Sequence, residues 1–341
     1  MTIIMSPRGA RLKRMRGVRV GVKLWRAVNM ALRDAMREDE RVIVLGQDVG
    51  RPGGPFGLTR GLRDEFGPGR VRDTPIAEAA LVGCGVGAAM LGLRPVVEVM
   101  YLDFLTLGSD QLVNQAAKHR FFNLDRPSLP LVIHTLYGGR ANFGAQHSQS
   151  LEAWLCHVPG LKVAFPSTPQ DAYEVLRAAI SDEDPVVVIN SIALLREVGE
   201  FDLPRRRTNQ IGRARLVQRG DQATVVAYGP AVALCQAAIG ELGMRADLID
   251  LKWLNPWDKE LILDSLRRSG RLLVVHDAVE PGGWGAEIVA RITAEGFWFL
   301  DAAPLRVGAR PSPIPVARKD WQQILPNLDD IKTGLLELVG T

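Results

Sequence analysis

A chain of 341 residues, 47% hydrophobic and 23% charged, has an ordinary globular composition and room for two domains, which excludes disorder along most of its length. No window approaches the roughly 18 consecutive apolar residues of a membrane span. Outside a basic N-terminal run the charges nearly balance, leaving no nucleic-acid footprint. Cys84, Cys156 and Cys235 stand far apart with no CxxC and no histidine cluster, which fits a reducing cytoplasm and small apolar packing roles.

The first two dozen positions carry Arg8, Arg11, Lys13, Arg14, Arg16, Arg19 and Lys23 without an acid. Residues 1–20 read as a disordered extension; the functional alternatives are an anion-binding arm or a transit peptide, the latter placing the protein in the mitochondrial matrix. From Leu24 the apolar positions Ala27, Val28, Ala31, Leu32 and Ala35 follow the 3.6-residue period of a helix, and a buried strand follows at 42–45. Next come a small-residue helix over 76–91, a strand at 95–100, a helix over 109–121 and strands at 129–134 and 161–165. A helix over 170–180 and an all-apolar strand at 186–189 close this unit. Continuous Val/Ile runs alternating with helices predict an α/β domain over 21–198, its mainly parallel sheet covered on both faces. The pattern lapses over 199–215, where Arg205, Arg206 and Arg207 occur, and this reads as a linker. A smaller α/β domain follows over 216–341, with strands near 223–228, 246–251 and 272–276 and a terminal helix near 328–338.

Two segments could carry chemistry. In Asp73-Thr74-Pro75-Ile76-Ala77-Glu78 a proline marks a helix start, Thr74 can cap it, and Glu78 falls in the first turn. Alone, such a glutamate is usually just a favourable helix-dipole charge. Gly83, Gly85 and Gly87 lie inside the helical run, so they form no dinucleotide fingerprint; they suit close approach of another helix. The second segment, Gly144-Ala145-Gln146-His147-Ser148-Gln149-Ser150, is a polar loop of the kind that places catalytic groups. No G-x-S-x-G elbow surrounds Ser148, and a lone loop histidine is more often structural.

Together with Gly92-Leu93-Arg94-Pro95-Val96-Val97-Glu98, Asp110-Gln111-Leu112-Val113-Asn114-Gln115-Ala116-Ala117-Lys118 and Pro159-Gly160-Leu161-Lys162-Val163, these motifs resemble the beta subunits of thiamine diphosphate-dependent 2-oxoacid dehydrogenases. The resemblance runs from about Leu24 to the C-terminus, through Asn255-Pro256-Trp257-Asp258 and Gly270-Arg271-Leu272-Leu273. It implies a transketolase-like pyrimidine-binding domain and a transketolase C-terminal domain. Glu78 would hydrogen-bond the cofactor's aminopyrimidine nitrogen, favouring the tautomer that generates the ylid. Ile76 and Phe104 would also contact the cofactor, Phe104 by offset stacking. His147 would stabilise charge near the substrate and assist transfer to a lipoyl group. A structural potassium ion is implied at Leu129, Leu131, Val132, Ala179, Asp182 and Asp184; on residues alone, the Asp-Glu-Asp turn is a solvated loop.

The Gly-Asp-Gly segment and later asparagine that would hold magnesium and the diphosphate are missing. Gly220-Asp221-Gln222 lies in the second domain and lacks that context. The resemblance therefore implies an alpha subunit that holds magnesium, in a two-plus-two heterotetramer, with a lipoyl-bearing dihydrolipoyl acyltransferase as acceptor and a small 2-oxoacid as substrate. Two departures stand out. Gln47 replaces an acid that links paired cofactor sites in relatives, and Asn190-Ser191-Ile192 replaces a Glu-containing stretch. Acetoin dehydrogenase and split transketolase-like carboligase are alternatives within thiamine chemistry, and a non-catalytic partner subunit is the alternative outside it.

Overall fold

Fourteen strands and the helices between them form three sheets in the computed structural model, which describes residues 18–123, 125, 127–203 and 210–340. Most of the N-terminal basic run and Arg205–Arg207 lie outside the described residues. The strands are β1 (Val18–Lys23), β2 (Val42–Gly46), β3 (Val71–Asp73), β4 (Arg94–Val99), β5 (Val132–Tyr137), β6 (Lys162–Ala164) and β7 (Val186–Ser191). They continue with β8 (Val198–Leu203), β9 (Arg215–Gln218), β10 (Ala223–Ala227), β11 (Ala246–Asp250), β12 (Trp253–Asn255), β13 (Leu272–Val279) and β14 (Leu305–Ala309).

The first domain is built on the order β12-β6-β7-β5-β4-β2-β3, parallel throughout except for β12. Every residue of β2, β5 and β7 is buried, as expected for strands covered on both faces. One cover is the helix Leu24–Glu38, whose stripe from Leu24 through Ala35 packs against the helix Pro169–Ser181. The latter starts where its sequence says: Thr168 accepts from the Asp171 N–H and Pro169 occupies the first turn. The opposite cover is the helix Glu78–Met90. The second domain has the order β14-β13-β10-β11-β9, with β9 antiparallel. No helix among the described residues is long and apolar enough to cross a membrane.

Three expectations are corrected. Residues 18–20, assigned to the extension, and 199–203, assigned to the linker, form the antiparallel ribbon β1–β8, whose Arg19 pairs with Glu200 and Asp202. The helix expected over 109–121 is instead a 3-10 turn Leu102–Gly108, a wide π turn Asp110–Ala116 and a short helix His119–Phe122. Apolar period cannot distinguish these hydrogen-bond registers, and Ser109 Oγ bonds back to the Thr106 carbonyl at the junction. Finally, Trp253–Asn255 crosses from the second domain to edge the first sheet, so the two units share structure.

Gly85 shows how closely the helix Glu78–Met90 approaches the sheet: a Cβ there would lie 2.5 Å from Val97 Cγ2. Gly85→Ala should therefore destabilise by about 1–3 kcal/mol through overpacking. Gly87, where an added Cβ meets nothing within 4 Å, should gain up to about 1 kcal/mol as Ala from helix propensity. Denaturant titration of the two variants checks the contrast.

Candidate active site

The chain leaves β2 for β3 on one side and returns across it to β4, which makes the carboxyl ends of these strands the switch point at which open α/β sheets bind ligands. Their ends are tied together. Thr74 N donates to Gly46 O (2.9 Å), Gly50 N donates to Asp73 Oδ1 (2.6 Å), and Arg63 pairs with Asp73 Oδ2 (2.5 Å). Glu78 is the first residue of its helix, preceded at the cap position by Ala77, so Thr74 does not cap it; the buried Thr74 Oγ1 has no partner. The half-exposed Glu78 carboxylate makes no hydrogen bond to a described residue, and Ile76 beside it is 72% exposed.

The 3-10 turn after β4 lies under this helix. A Cβ on Gly108 would be 2.8 Å from Val82 Cγ2 and 3.4 Å from the Glu78 carbonyl oxygen. The same turn carries Phe104, whose ring centroid is 5.3 Å from that of His147 and 5.3 Å from that of Tyr101. Tyr101 meets His147 edge-on at 4.6 Å, and Phe143 closes the nest at 5.7 Å from Tyr101. The structure thus brings Phe104 and His147 together and sets Glu78 on the helix packed over them. Neither ring nitrogen of the half-buried His147 has a partner among the described residues.

Of two further carboxylates near the His147 loop, Asp103 is given no role by the sequence, and Asp277, with His276, reads in the sequence as a strand-end polar pair and not a catalytic dyad. Asp103 is buried; its Oδ1 accepts from Gln149 N (3.2 Å) and Nε2 (2.9 Å), while Oδ2 is unpartnered. Burial pushes its carboxyl above the usual range, against the pull of the Gln149 bonds and His147. Its only signal was a position one residue before Phe104. Asp277 lies in the other domain: Arg140 grips its two oxygens at 2.7 and 2.6 Å, and Tyr137 Oη donates to it at 3.2 Å. Removing one partner of so buried a pair typically costs about 3–5 kcal/mol. Nearby, Glu152 is fully buried and accepts from Ser150 Oγ (2.6 Å) and Tyr228 Oη (2.8 Å).

Gln47 follows β2, half-buried. Asn190 Nδ2 lies 2.8 Å from His134 Nε2, and His134 Nδ1 lies 2.6 Å from Glu98 Oε2, forming a buried polar line across β7, β5 and β4. The groups expected around potassium gather at the turn before β7. The Leu129, Leu131 and Ala179 carbonyls each accept one backbone N–H, from Leu131, Val186 and Asp182, and keep a second lone pair; Val132 pairs with Val186. The carboxylates are already engaged: Lys162 Nζ lies 2.8 Å from both Asp182 oxygens and 3.1 Å from Asp184 Oδ2, and Arg120 pairs with Asp184. Among the described residues no group of three or more His, Cys, Asp or Glu could hold a metal ion.

Residues 21–197 match the family described as transketolase, pyrimidine binding domain, and residues 212–331 match transketolase, C-terminal domain. The 2-oxoisovalerate dehydrogenase subunit beta of Bacillus subtilis is 37% identical over 92% of this chain and 97% of its own length. The pyruvate dehydrogenase E1 component subunit beta of Acholeplasma laidlawii is 38% identical over 87% of this chain and 92% of its own. A mitochondrial pyruvate dehydrogenase E1 beta subunit of Oryza sativa is 38% identical over 89% of this chain and 83% of its own. Among solved structures, a split-gene transketolase in an inactive beta4 tetramer superposes with a TM-score of 0.75 over 94% of this chain and 99% of its own, at 20% identity, a likeness of fold. With two matched domains in this order and such relatives along nearly its whole length, the chain belongs to the beta subunits of the E1 component of the 2-oxoacid dehydrogenases.

Proposed function

We propose that this chain is the beta subunit of an enzyme that decarboxylates a 2-oxoacid on thiamine diphosphate and passes the acyl group to a lipoyl acceptor. The observation that carries the reading is the Glu78 carboxylate, without a partner among the described residues, on the helix packed over the turn that brings Phe104 to His147. An apolar rim (Ile76), an aromatic face and a free carboxylate fit the pyrimidine end of such a cofactor. When bound, thiamine diphosphate supplies a carbon acid whose conjugate base adds to the keto carbon and holds the electron pair released with carbon dioxide. Glu78 shares a proton with the pyrimidine nitrogen, Phe104 packs on the ring, and His147 gives a proton to the acceptor sulfur.

The diphosphate end has no ligand set on this chain's described residues, so an alpha subunit holds it with magnesium in this reading. Exposed apolar side chains elsewhere on the first domain fit a partner surface: Leu91 is 87% and Trp154 66% exposed. The relatives' names divide between pyruvate and 2-oxoisovalerate, so the substrate class is a small 2-oxoacid. Potassium is a further cofactor of this reading, on the carbonyl cluster and sharing Asp182 with Lys162. Its expected mark is a melting temperature higher in potassium chloride than in choline chloride at equal ionic strength; equal values leave Lys162 as the sole counterion.

Calorimetric titration of thiamine diphosphate and magnesium should show binding to this chain assembled with its alpha partner and none to this chain alone; tight binding to the lone chain would overturn the split site. Glu78→Gln should cut 2-oxoacid-dependent turnover by about 10²–10⁴-fold with the assembly intact, as expected for losing an acid–base group. Near-normal turnover would remove this mechanism. Phe104→Ala should weaken cofactor binding by up to about tenfold, the worth of one aromatic contact, read in the same calorimeter.

A further inference from the structure

No step assigned above uses the C-terminal domain, yet that domain grips the segment that presents His147. Arg140 and Asn142 stand at φ of 66° and 62°, a left-handed conformation that costs an L side chain energy and persists where the surroundings hold it. Both side chains reach into the C-terminal domain. Arg140 forks onto Asp277 and also donates to the Pro326 carbonyl (2.7 Å), and Asn142 Oδ1 accepts from Trp321 Nε1 at 2.6 Å. The loop closes on its own start at the histidine: a Cβ on Gly138 would lie 2.0 Å from the His147 carbonyl oxygen, so the two backbones are in direct contact. Phe143, the residue after Asn142, is one of the rings around His147. The first domain holds the far side of the loop through Asp103 and Gln149. The imidazole has no hydrogen bond of its own among the described residues, so these anchors and the surrounding rings set its direction.

We propose that Arg140 and Asp277 are positioning residues for acyl transfer: through this pair the C-terminal domain holds His147 where it protonates the departing sulfur of a cyclic disulfide acceptor. The inference rests on the role given to His147 above. In the step it serves, one acceptor sulfur bonds to the acyl carbon and the S–S bond breaks, leaving its electron pair on the second sulfur. The proton from His147 makes that sulfur a thiol. The two electrons gained by the disulfide are those the acyl fragment loses in becoming a thioester: its hydroxyl gives up a proton to base or solvent, and its bond to the carrier carbon breaks with the electron pair returning to the carrier. Decarboxylation precedes this step and does not need the histidine so placed.

The test uses the assembled alpha–beta enzyme loaded with thiamine diphosphate and magnesium, with pyruvate and 2-oxoisovalerate as substrates. Ferricyanide reads decarboxylation and lipoamide reads acyl transfer. Asp277→Asn should lower kcat for lipoamide acylation by about 10- to 100-fold, the usual consequence of misplacing a reacting group by about 1 Å, while the ferricyanide rate and the 2-oxoacid KM stay within about twofold. Equal loss of both rates, or no loss of acylation, overturns the proposal. Because an unmatched Arg140 can loosen the domain contact, the charge-free double variant Arg140→Met/Asp277→Leu is measured beside it. That variant should recover the melting temperature but not lipoamide acylation. Recovery of both together would make the pair structural only. His147→Ala run in parallel separates the two readings. If it leaves acylation unchanged, the role of His147 fails and takes this proposal with it; if it slows acylation and Asp277→Asn does not, only the positioning role fails.

Discussion

A parallel sheet buried on both faces sends every strand's carboxyl end to the same edge, and the site follows from that geometry. Gln47 follows β2, Glu78 follows β3, Phe104 follows β4 and the His147 loop follows β5, so residues up to a hundred positions apart converge without any special contact between them. The sheet demands apolar strands, and its charged side chains survive burial by pairing, while the Thr135 and Ser191 hydroxyls stay buried without a partner. Glu98, His134 and the Asn190 Nδ2 group link across three strands, and the Asn190 Oδ1 is left without a partner. The Asn190 amide joins this line without adding a second carboxylate to a dry interior.

Burial also decides how the two domains join. Apolar contact holds them non-directionally, whereas buried charges fix the register. Arg215 on β9 bridges Asp171 of the first domain (3.0 Å) and Asp250 of the second (2.8 Å), and Lys252 adds a contact to Asp171. Burial pushes the Asp250 carboxyl upward, and Arg215 and Ser167 pull it back. On the other flank, Arg140–Asp277 and Glu152–Tyr228 bracket the His147 loop. Losing one member of such a pair strands a charge in low dielectric, so the domains stay in one relative position.

Local signals in the sequence were read correctly where one element decides the outcome. The stripe from Leu24 to Ala35, the Val/Ile strands and the helix expected over 170–180 all form as their patterns dictate, whereas the cap expected from Thr74 does not. Glu78, Phe104 and His147 were singled out through the resemblance of their motifs; the ring-to-ring contact of Phe104 with His147 follows from the sheet order, which brings the loops after β4 and β5 side by side. Period alone could not reveal the turns of changing register between Leu102 and Phe122, nor that β12 would cross to the other domain's sheet. Asp277 reads in the sequence, with His276, as a strand-end polar pair; its grip on the other domain appears only when Arg140, 137 residues away, is placed against it.

The exposure of Glu78 bears on why such a site would be divided between chains. A hydrogen bond from a carboxylate to a ring nitrogen is weak while water competes, and strengthens as water is excluded. In this chain the carboxylate is half-exposed, and the apolar side chains flanking it, Ile76 and the alanines of the helix's first turn, are uncovered. A partner that covers this rim would therefore do two things with one surface: bury the apolar area that stabilises the assembly, and dry the carboxylate that the proposed chemistry requires. Activity would then depend on assembly as a direct result of the same desolvation, with no separate switch needed to keep an isolated subunit silent.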